Sequence, residues 1–407
     1  MQILFISQLF DPENSIKGLE FARRLKALGH EVEVVTTFPS YPGGKVYPGY
    51  KQRFKEVSTV DGIRIVRLPT FISHGTSAAK RILSYLSFGL AASFYALFSA
   101  RKPDVIYAYY PPVIVGLTAL LVGKVRDIPY VYDVQDLWPD ALVETGSAQS
   151  DSRIVRWIDK CCRLVYRHAS RIVVLSEGYR RALIAKKVEP KKIERIFNWC
   201  DESRMQPGAS ASPETIDRSF FNILYAGNLG AAQALEHVIQ AAYLIQQQGS
   251  KGIRFLFLGA GVAETALKNK AQSLGLNNVK FLPRVTADQV GNYLAAADVL
   301  LVHLADEPVF EITIPQKTQA YLLAGRPILM AVRGEASEII REAGAGLVVE
   351  PCQPQKLAQA AIEMSQLSAD KLKKMAQRGM NFYQKNMSMA NGIESVESLL
   401  KAIAAKK

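Results

Sequence analysis

Lys317 stands two residues after Pro315 in the stretch EITIPQKTQAYLLAGRPILMAV, residues 311–332. Proline suits the first turn of a helix, where its missing N–H costs nothing and its φ is already helical. Thr313 and Ile314 lead into the turn, Gln316 to Ala324 supply the helix, Gly325 can end it, and Pro327 opens an apolar strand. The first amides of a helix have no intrahelical acceptors and carry partial positive charge. With Lys317 beside them they describe an anion site suited to a phosphate. A solvated lysine on a short helix fits the same residues. A second stretch, FLGAGVAE (257–264), runs a strand into Gly-x-Gly. Gly259 and Gly261 would let a backbone approach a ligand at a helix start, and an ordinary tight turn is the competing reading. Position 264 is Glu where a dinucleotide fingerprint has its third glycine, and no acidic residue follows about twenty positions on to hold a ribose, so the case for NAD is weak. A third stretch, QDLWPD (135–140), places Asp136 and Asp140 at a strand end around Trp138. A helix-capping turn with tryptophan as core filler is its plainer reading.

Such residues need a scaffold that delivers loops to one edge. Runs at 2–7, 31–38, 62–69, 103–109 and 129–136 read as strands, and residues 18–30 carry Leu19, Ala22, Leu25 and Leu28 at helical spacing with Gly29 as a stop. That alternation predicts a parallel sheet with helices on both faces and ligands beyond the C-terminal strand ends. Asp133, inside its strand, reads as structural. The pattern restarts near Phe220, with strands at 221–228, 253–261, 279–284, 297–304, 326–332 and 345–350. The expectation is an α/β protein of two doubly wound domains, 1–200 and 201–385, joined by the polar stretch 201–219. The last helix caps the second domain or returns to the first. Residues 82–100 form an uncharged run of about bilayer-crossing length, expected here to be a buried helix covering the first sheet.

The chain has 407 residues, too many for one ordinary domain. Its 50 basic and 37 acidic residues give a net charge of +13, which favours anionic partners. Nucleic acid is the weaker choice, for there is no arginine-rich arm, aromatic RNA-binding strand or zinc motif. The four cysteines show no CxxC pair and no adjacent histidines, so a reducing compartment is expected, with no metal site. The N-terminus reads as a first strand, not as a signal peptide. Residues 151–195 hold thirteen Lys or Arg against five Asp or Glu. Arg153, Arg156, Lys160, Arg163 and Arg167 share one helix face there, with Ile154, Ile158, Cys161 and Val165 on another. A basic face of this kind predicts reversible docking on an anionic membrane surface, against a plainly solvated face.

Two Rossmann-like domains, the Pro-x-Lys–helix–Ala-Gly-x-Pro–strand block, ADVLL (297–301) and IFNWCDE at the hinge together resemble the retaining GT-B glycosyltransferases of family 4 over essentially the whole chain. Asn198, Asp201 and Pro207 follow that family's hinge pattern. YAGNLG (225–230) is similar to its donor loop, and FLGAG to its Leu-x-Gly-x-Gly turn. The segments FDPENSIKGLEFARRL, FPSYPGGKVYPGY and YDVQDLWPDAL look like a narrower group, the bacterial O-antigen and capsule transferases related to N-acetyl-L-fucosamine transferases. The resemblance implies two domains facing across a cleft, with the C-terminal helix 386–407 crossing back to the first. It implies transfer of a sugar from a UDP-sugar to a polyprenyl-diphosphate-linked saccharide at the cytoplasmic face of a bacterial plasma membrane, without metal or cofactor. Gly227, Asn228, Gly259, Gly261, Arg284, Thr313, Ile314, Pro315, Gln316 and Lys317 would then hold the donor. Gln135, Trp138, Asp140 and Tyr41 would meet the acceptor, and Asp136 and Gly18 would take the catalytic positions. The family's paired glutamates are absent: Ile312 and Ala320 occupy their places, with Glu311 one residue out of register. Asn228 and Gln233 replace the basic pair of the donor loop. A sugar-nucleotide 2-epimerase shares the architecture and is the alternative. It needs histidines near the sugar, and of five only His303 lies at a predicted strand end.

Overall fold

Short β-branched and aromatic runs buried on both faces form the strands, as parallel sheets require. In the computed structural model, residues 1–405 are described apart from 42, 73–77, 110–112, 141–148, 150–151, 206–212, 214 and 251. Two units are present, Met1–Phe197 with Gly392–Lys407, and Asn198–Asn391. The first contains β1 (Gln2–Ser7), β2 (Glu31–Thr37), β3 (Glu56–Val60), β4 (Ile63–Leu68), β5 (Val105–Tyr109), β6 (Tyr130–Val134), β7 (Arg171–Val174) and β8 (Ile193–Arg195). Their order is β3-β4-β2-β1-β5-β6-β7-β8, parallel except for the β3–β4 pair. From β4 to β7 this is the 3-2-1-4-5-6 order of doubly wound sheets, whose chain direction switches between β1 and β5. Sequence periodicity missed β3, β7 and β8. The β3–β4 hairpin had a signal, Asp61-Gly62, both at positive φ (52° and 74°), the arrangement a two-residue hairpin demands.

The second unit holds β9 (Phe221–Ala226), β10 (Ile253–Leu258), β11 (Val279–Leu282), β12 (Val299–His303), β13 (Ile328–Ala331) and β14 (Gly346–Val349), all parallel, in the order β11-β10-β9-β12-β13-β14. Its switch point lies between β9 and β12. The core on one face joins Tyr225, Val238, Ile239, Phe255, Phe257 and Leu301.

The final helix, Met389–Ala404, buries Ile393, Val396, Leu399, Leu400 and Ile403. Residues from Gly392 onward cluster with the first unit, where Glu397 Oε1 lies 3.0 Å from Nε2 of His30. The run expected at 82–100 is the helix Ala78–Phe98. It covers the sheet with one side only. The basic helix is Arg153–His168, and its packed face is Val155, Ile158, Cys162 and Val165. Ile154 is exposed and Cys161 half-buried, one position away from the expected stripe.

Candidate active site

In the second unit, loops at the carboxyl ends of β9, β10 and β12 converge with the helix Gln316–Leu323. Pro315 is the residue before that helix, not within its first turn, and the helix start has no side-chain cap. Gly325, at φ +62°, follows its end. Lys317 leans across the loop after β9. Its Nζ donates to the hydroxyl of Tyr225 and sits 3.8 Å from that ring's centre. Tyr225 passes its own proton to the carbonyl of Asn228 at 2.6 Å. No carboxylate among the described residues pairs with Lys317, and burial lowers its pKa to about 7. Gly227 makes room for it: at φ +138°, a Cβ there would lie 2.6 Å from Lys317 Cε. Tyr321, one turn further along the helix, fastens it to the strand. Its hydroxyl accepts from the Ala226 amide at 2.9 Å and donates to the Ala226 carbonyl.

The glycines of the β10 loop are required by the packing of the loops themselves. A Cβ on Gly259 would meet the Gly227 carbonyl at 1.9 Å, and one on Gly261 the Leu229 carbonyl at 2.2 Å. The backbone they admit is therefore that of the β9 loop. Gln233 braces this loop, accepting the Gly230 amide at 3.0 Å and lying 3.4 Å from Asn228 Nδ2. Its carbonyl meets Nδ1 of buried His303 at 2.8 Å, and burial lowers that imidazole to about 4. His303 is thus a neutral strut at neutral pH. Thr313 donates to the Val309 carbonyl at 2.8 Å, and Ile314 is buried. Glu311 ends the short helix Pro308–Glu311, and its backbone lies against Gly334. Arg284 is exposed after the edge strand β11, two strands out from β9.

In the first unit the loops after β1 and β6 meet around an ion pair. Lys17 Nζ lies 2.5 Å from Asp133 Oδ2, and both side chains are fully buried. Tyr107 donates to the same oxygen, and Gln135 Nε2 donates to Oδ1 at 2.5 Å. Asp133 is structural as expected, and Gln135 is its positioning partner. Lys17 was not singled out, because a lysine inside a polar loop gives no sign of burial. Gly18 precedes the helix Leu19–Ala27, but the space before it is filled. Asp11 Oδ2 accepts the Leu19 amide at 2.6 Å, and a Cβ on Gly18 would lie 2.1 Å from that oxygen. Here the helix terminus holds the protein's own carboxylate.

Asp136 lies two residues past β6. It is exposed, yet the surrounding protein raises its carboxyl above the ordinary value by desolvation. Trp138 packs edge-on to Tyr85, with ring centres 6.2 Å apart. Asp140 is bound to Lys186 at 2.7 Å, so each neutralises the other. Tyr41 is exposed, and its amide donates to Glu13 Oε1 at 2.7 Å, as does that of Ser40 at 2.6 Å. Burial raises the Glu13 carboxyl despite these bonds. Asn198 and Asp201 open the second unit, and Pro207 lies outside the described residues.

Comparison with known proteins agrees with this geometry. Residues 19–199 match the glycosyl transferase 4-like domain and residues 221–366 the glycosyl transferases group 1 domain. The chain belongs to the GT-B glycosyltransferases of group 1. It is 28% identical over 302 residues to WbjE of Pseudomonas aeruginosa, described as a probable glycosyltransferase, covering 70% of this chain and 74% of that one. It is 27% identical over 339 residues to WcaI of Escherichia coli K12, described as a colanic acid biosynthesis glycosyl transferase, covering 80% and 82%. Among solved structures, sucrose-phosphate synthase from Thermosynechococcus elongatus superposes with a TM-score of 0.73 at 16% identity over 100% of both chains. Anabaena HepE in complex with UDP gives 0.72 at 16%, over 99% of this chain and 100% of that one. At such identities these two speak to fold alone. The family is that of the transferases, and nothing in these matches favours the epimerase.

Proposed function

We propose that the protein is a retaining, metal-independent transferase in bacterial surface polysaccharide synthesis. It moves a sugar from a UDP-sugar to a saccharide carried on a polyprenyl diphosphate. The observation that carries the donor half is Lys317, a part-buried lysine without a carboxylate partner among the described residues, aimed at the carboxyl end of β9 beside the switch point. A diphosphate placed there meets one cation, the open helix start at Gln316 and the loop amides from Gly227 and Asn228. WcaI, named for colanic acid biosynthesis, supports the pathway, and the fold shared with HepE, which is solved with UDP, suits a UDP-linked donor. Catalysis is then electrostatic: charge developing on the leaving diphosphate is met by fixed dipoles and Lys317, and the leaving phosphate takes the acceptor hydroxyl's proton. Asp136 and Trp138 lie on the acceptor side, and the sugar moved is an N-acetylated amino sugar such as N-acetyl-L-fucosamine.

The test is a panel of UDP-sugars offered with a lipid-linked acceptor and read by mass spectrometry, with the anomeric configuration of the product set by NMR. A mass gain of one sugar with retained configuration is expected. Free epimer without transfer, or an inverted product, would reject the reading.

A further inference from the structure

The helix Ala78–Phe98 has no charged residue after Arg81 and is predominantly apolar from there on, a composition that in a water-soluble protein marks a largely enclosed helix. This one is not enclosed. It buries Phe88, Ala92, Tyr95 and Ala96 against the first unit. Leu86, Leu90, Phe94 and Phe98, four residues apart, form a stripe on the open side, and Leu90, Phe94 and Phe98 are 74%, 60% and 73% exposed. Phe94 and Phe98 rest on each other at 5.1 Å rather than on the core. The neighbouring helix Val113–Arg126 lies close, with Ser93 Oγ 3.4 Å from Thr118 Oγ1 and Arg126 donating to the Ala96 carbonyl at 2.6 Å. It adds exposed Leu121 and Val125. Beyond it, with Val165 against Gly116, stands the helix Arg153–His168. Its open side carries Arg153, Arg156, Lys160, Arg163 and Arg167 around Trp157, which is 58% exposed. Its one acid, Asp159, is already taken by Arg163 at 2.7 Å.

We infer that these three helices form one membrane-seating face, on which the first unit rests in the headgroup region of an anionic phospholipid bilayer. The apolar stripe of Ala78–Phe98 enters the acyl boundary, and the Arg153–His168 helix lies over acidic headgroups. A contiguous apolar surface of this kind is unusual on a monomer unless it binds something. A rim of basic residues around it complements an anionic lipid surface. The helix has the length of a span, yet a third of its apolar window is buried in the unit, so it lies along the bilayer and does not cross it. The inference agrees with a polyprenyl-linked acceptor but does not depend on it.

The experiment uses the full chain with vesicles of phosphatidylcholine, alone or with phosphatidylglycerol. Binding is read by sedimentation and by tryptophan emission, with Trp157→Phe as the control that assigns the signal, since Trp199 is buried and Trp138 half-buried. Wild type should bind the anionic vesicles with a blue shift, and bind neutral ones weakly. Leu90→Ser/Phe94→Ser/Phe98→Ser should weaken binding roughly a hundredfold, as expected for three apolar side chains left in water. Arg156→Glu/Lys160→Glu should also weaken it, and more so at low salt. All of these positions are exposed, so thermal melting should hold and exclude misfolding. Unchanged vesicle binding by the triple serine variant overturns the inference. So does a wild type that ignores vesicles but forms a dimer which that variant splits, since the face is then a self-association surface. Transfer to a short-chain, water-soluble acceptor is scored in parallel. Its absence with vesicle binding intact counts against the transferase reading alone.

Discussion

A single lysine carries most of what the second unit offers an anion, and its protonation should be visible in binding. With its pKa lowered to about 7 by burial, Lys317 is charged below that pH and progressively neutral above it in the unliganded protein. A diphosphate favours the charged form, so binding above pH 7 takes up a proton. Affinity for a UDP-sugar, whose diphosphate does not titrate there, should be flat from pH 6 to 7. It should then fall toward pH 9, by no more than Lys317→Ala itself costs at pH 6. That cost should be about 2–3 kcal/mol, the loss of a charge-assisted bond to phosphate. Calorimetry on Lys317→Ala should show weak binding with no pH dependence, and a variant that keeps the wild-type slope would remove the lysine from the site. The buried pair in the first unit makes a different case. Lys17→Met alone strands the Asp133 carboxylate in the interior, which should destabilise that unit by about 3–5 kcal/mol. Lys17→Met/Asp133→Leu should recover much of this in urea unfolding. Equal losses in the single and double variants would mean that the two side chains are not coupled.

Among the elements, the helix Gln316–Leu323 can position Lys317 only because something fixes it to the sheet. Tyr321 does this through both backbone polar atoms of one residue, Ala226. Tyr321→Phe keeps the ring packing and leaves the buried Ala226 amide without its partner. It should cost about 1–3 kcal/mol in stability and weaken donor binding as the helix loosens. Chemical unfolding and calorimetry on the same variant separate the two effects. Wild-type donor affinity in a destabilised Tyr321→Phe protein would show that the latch serves the fold and not the site. The close fit of the β9 and β10 loops gives Gly259 and Gly261 a use that sequence spacing does not single out. A glycine reports that a backbone comes near, not whose backbone it is.

At the scale of the whole molecule, the chain returns to its beginning. The apolar face of Met389–Ala404 belongs to the first unit, where Lys401 and then His30 hold the Glu397 carboxyl below its usual range. Removing residues 392–407 should expose that surface and lower hydrogen-exchange protection across Met1–Phe197, leaving Asn198–Asn391 near wild type. Loss confined to the second unit would contradict the assignment.

The sequence alone determined the two doubly wound sheets, because strand–helix alternation is a local, periodic signal. It also determined the helix start at Gln316, beside Lys317, because proline and glycine act on their own backbone. Tertiary structure decided which polar groups were still available. Asp11 fills the helix start at Gly18, Asp140 neutralises Lys186, and Lys17 vanishes beneath the sheet edge against Asp133. It decided as well that one side of Ala78–Phe98 stays bare. Each of these depends on pairing between residues far apart in the chain. Composition and period describe what a side chain is, and only packing sets the neighbours and the solvent that determine its charge and its exposure.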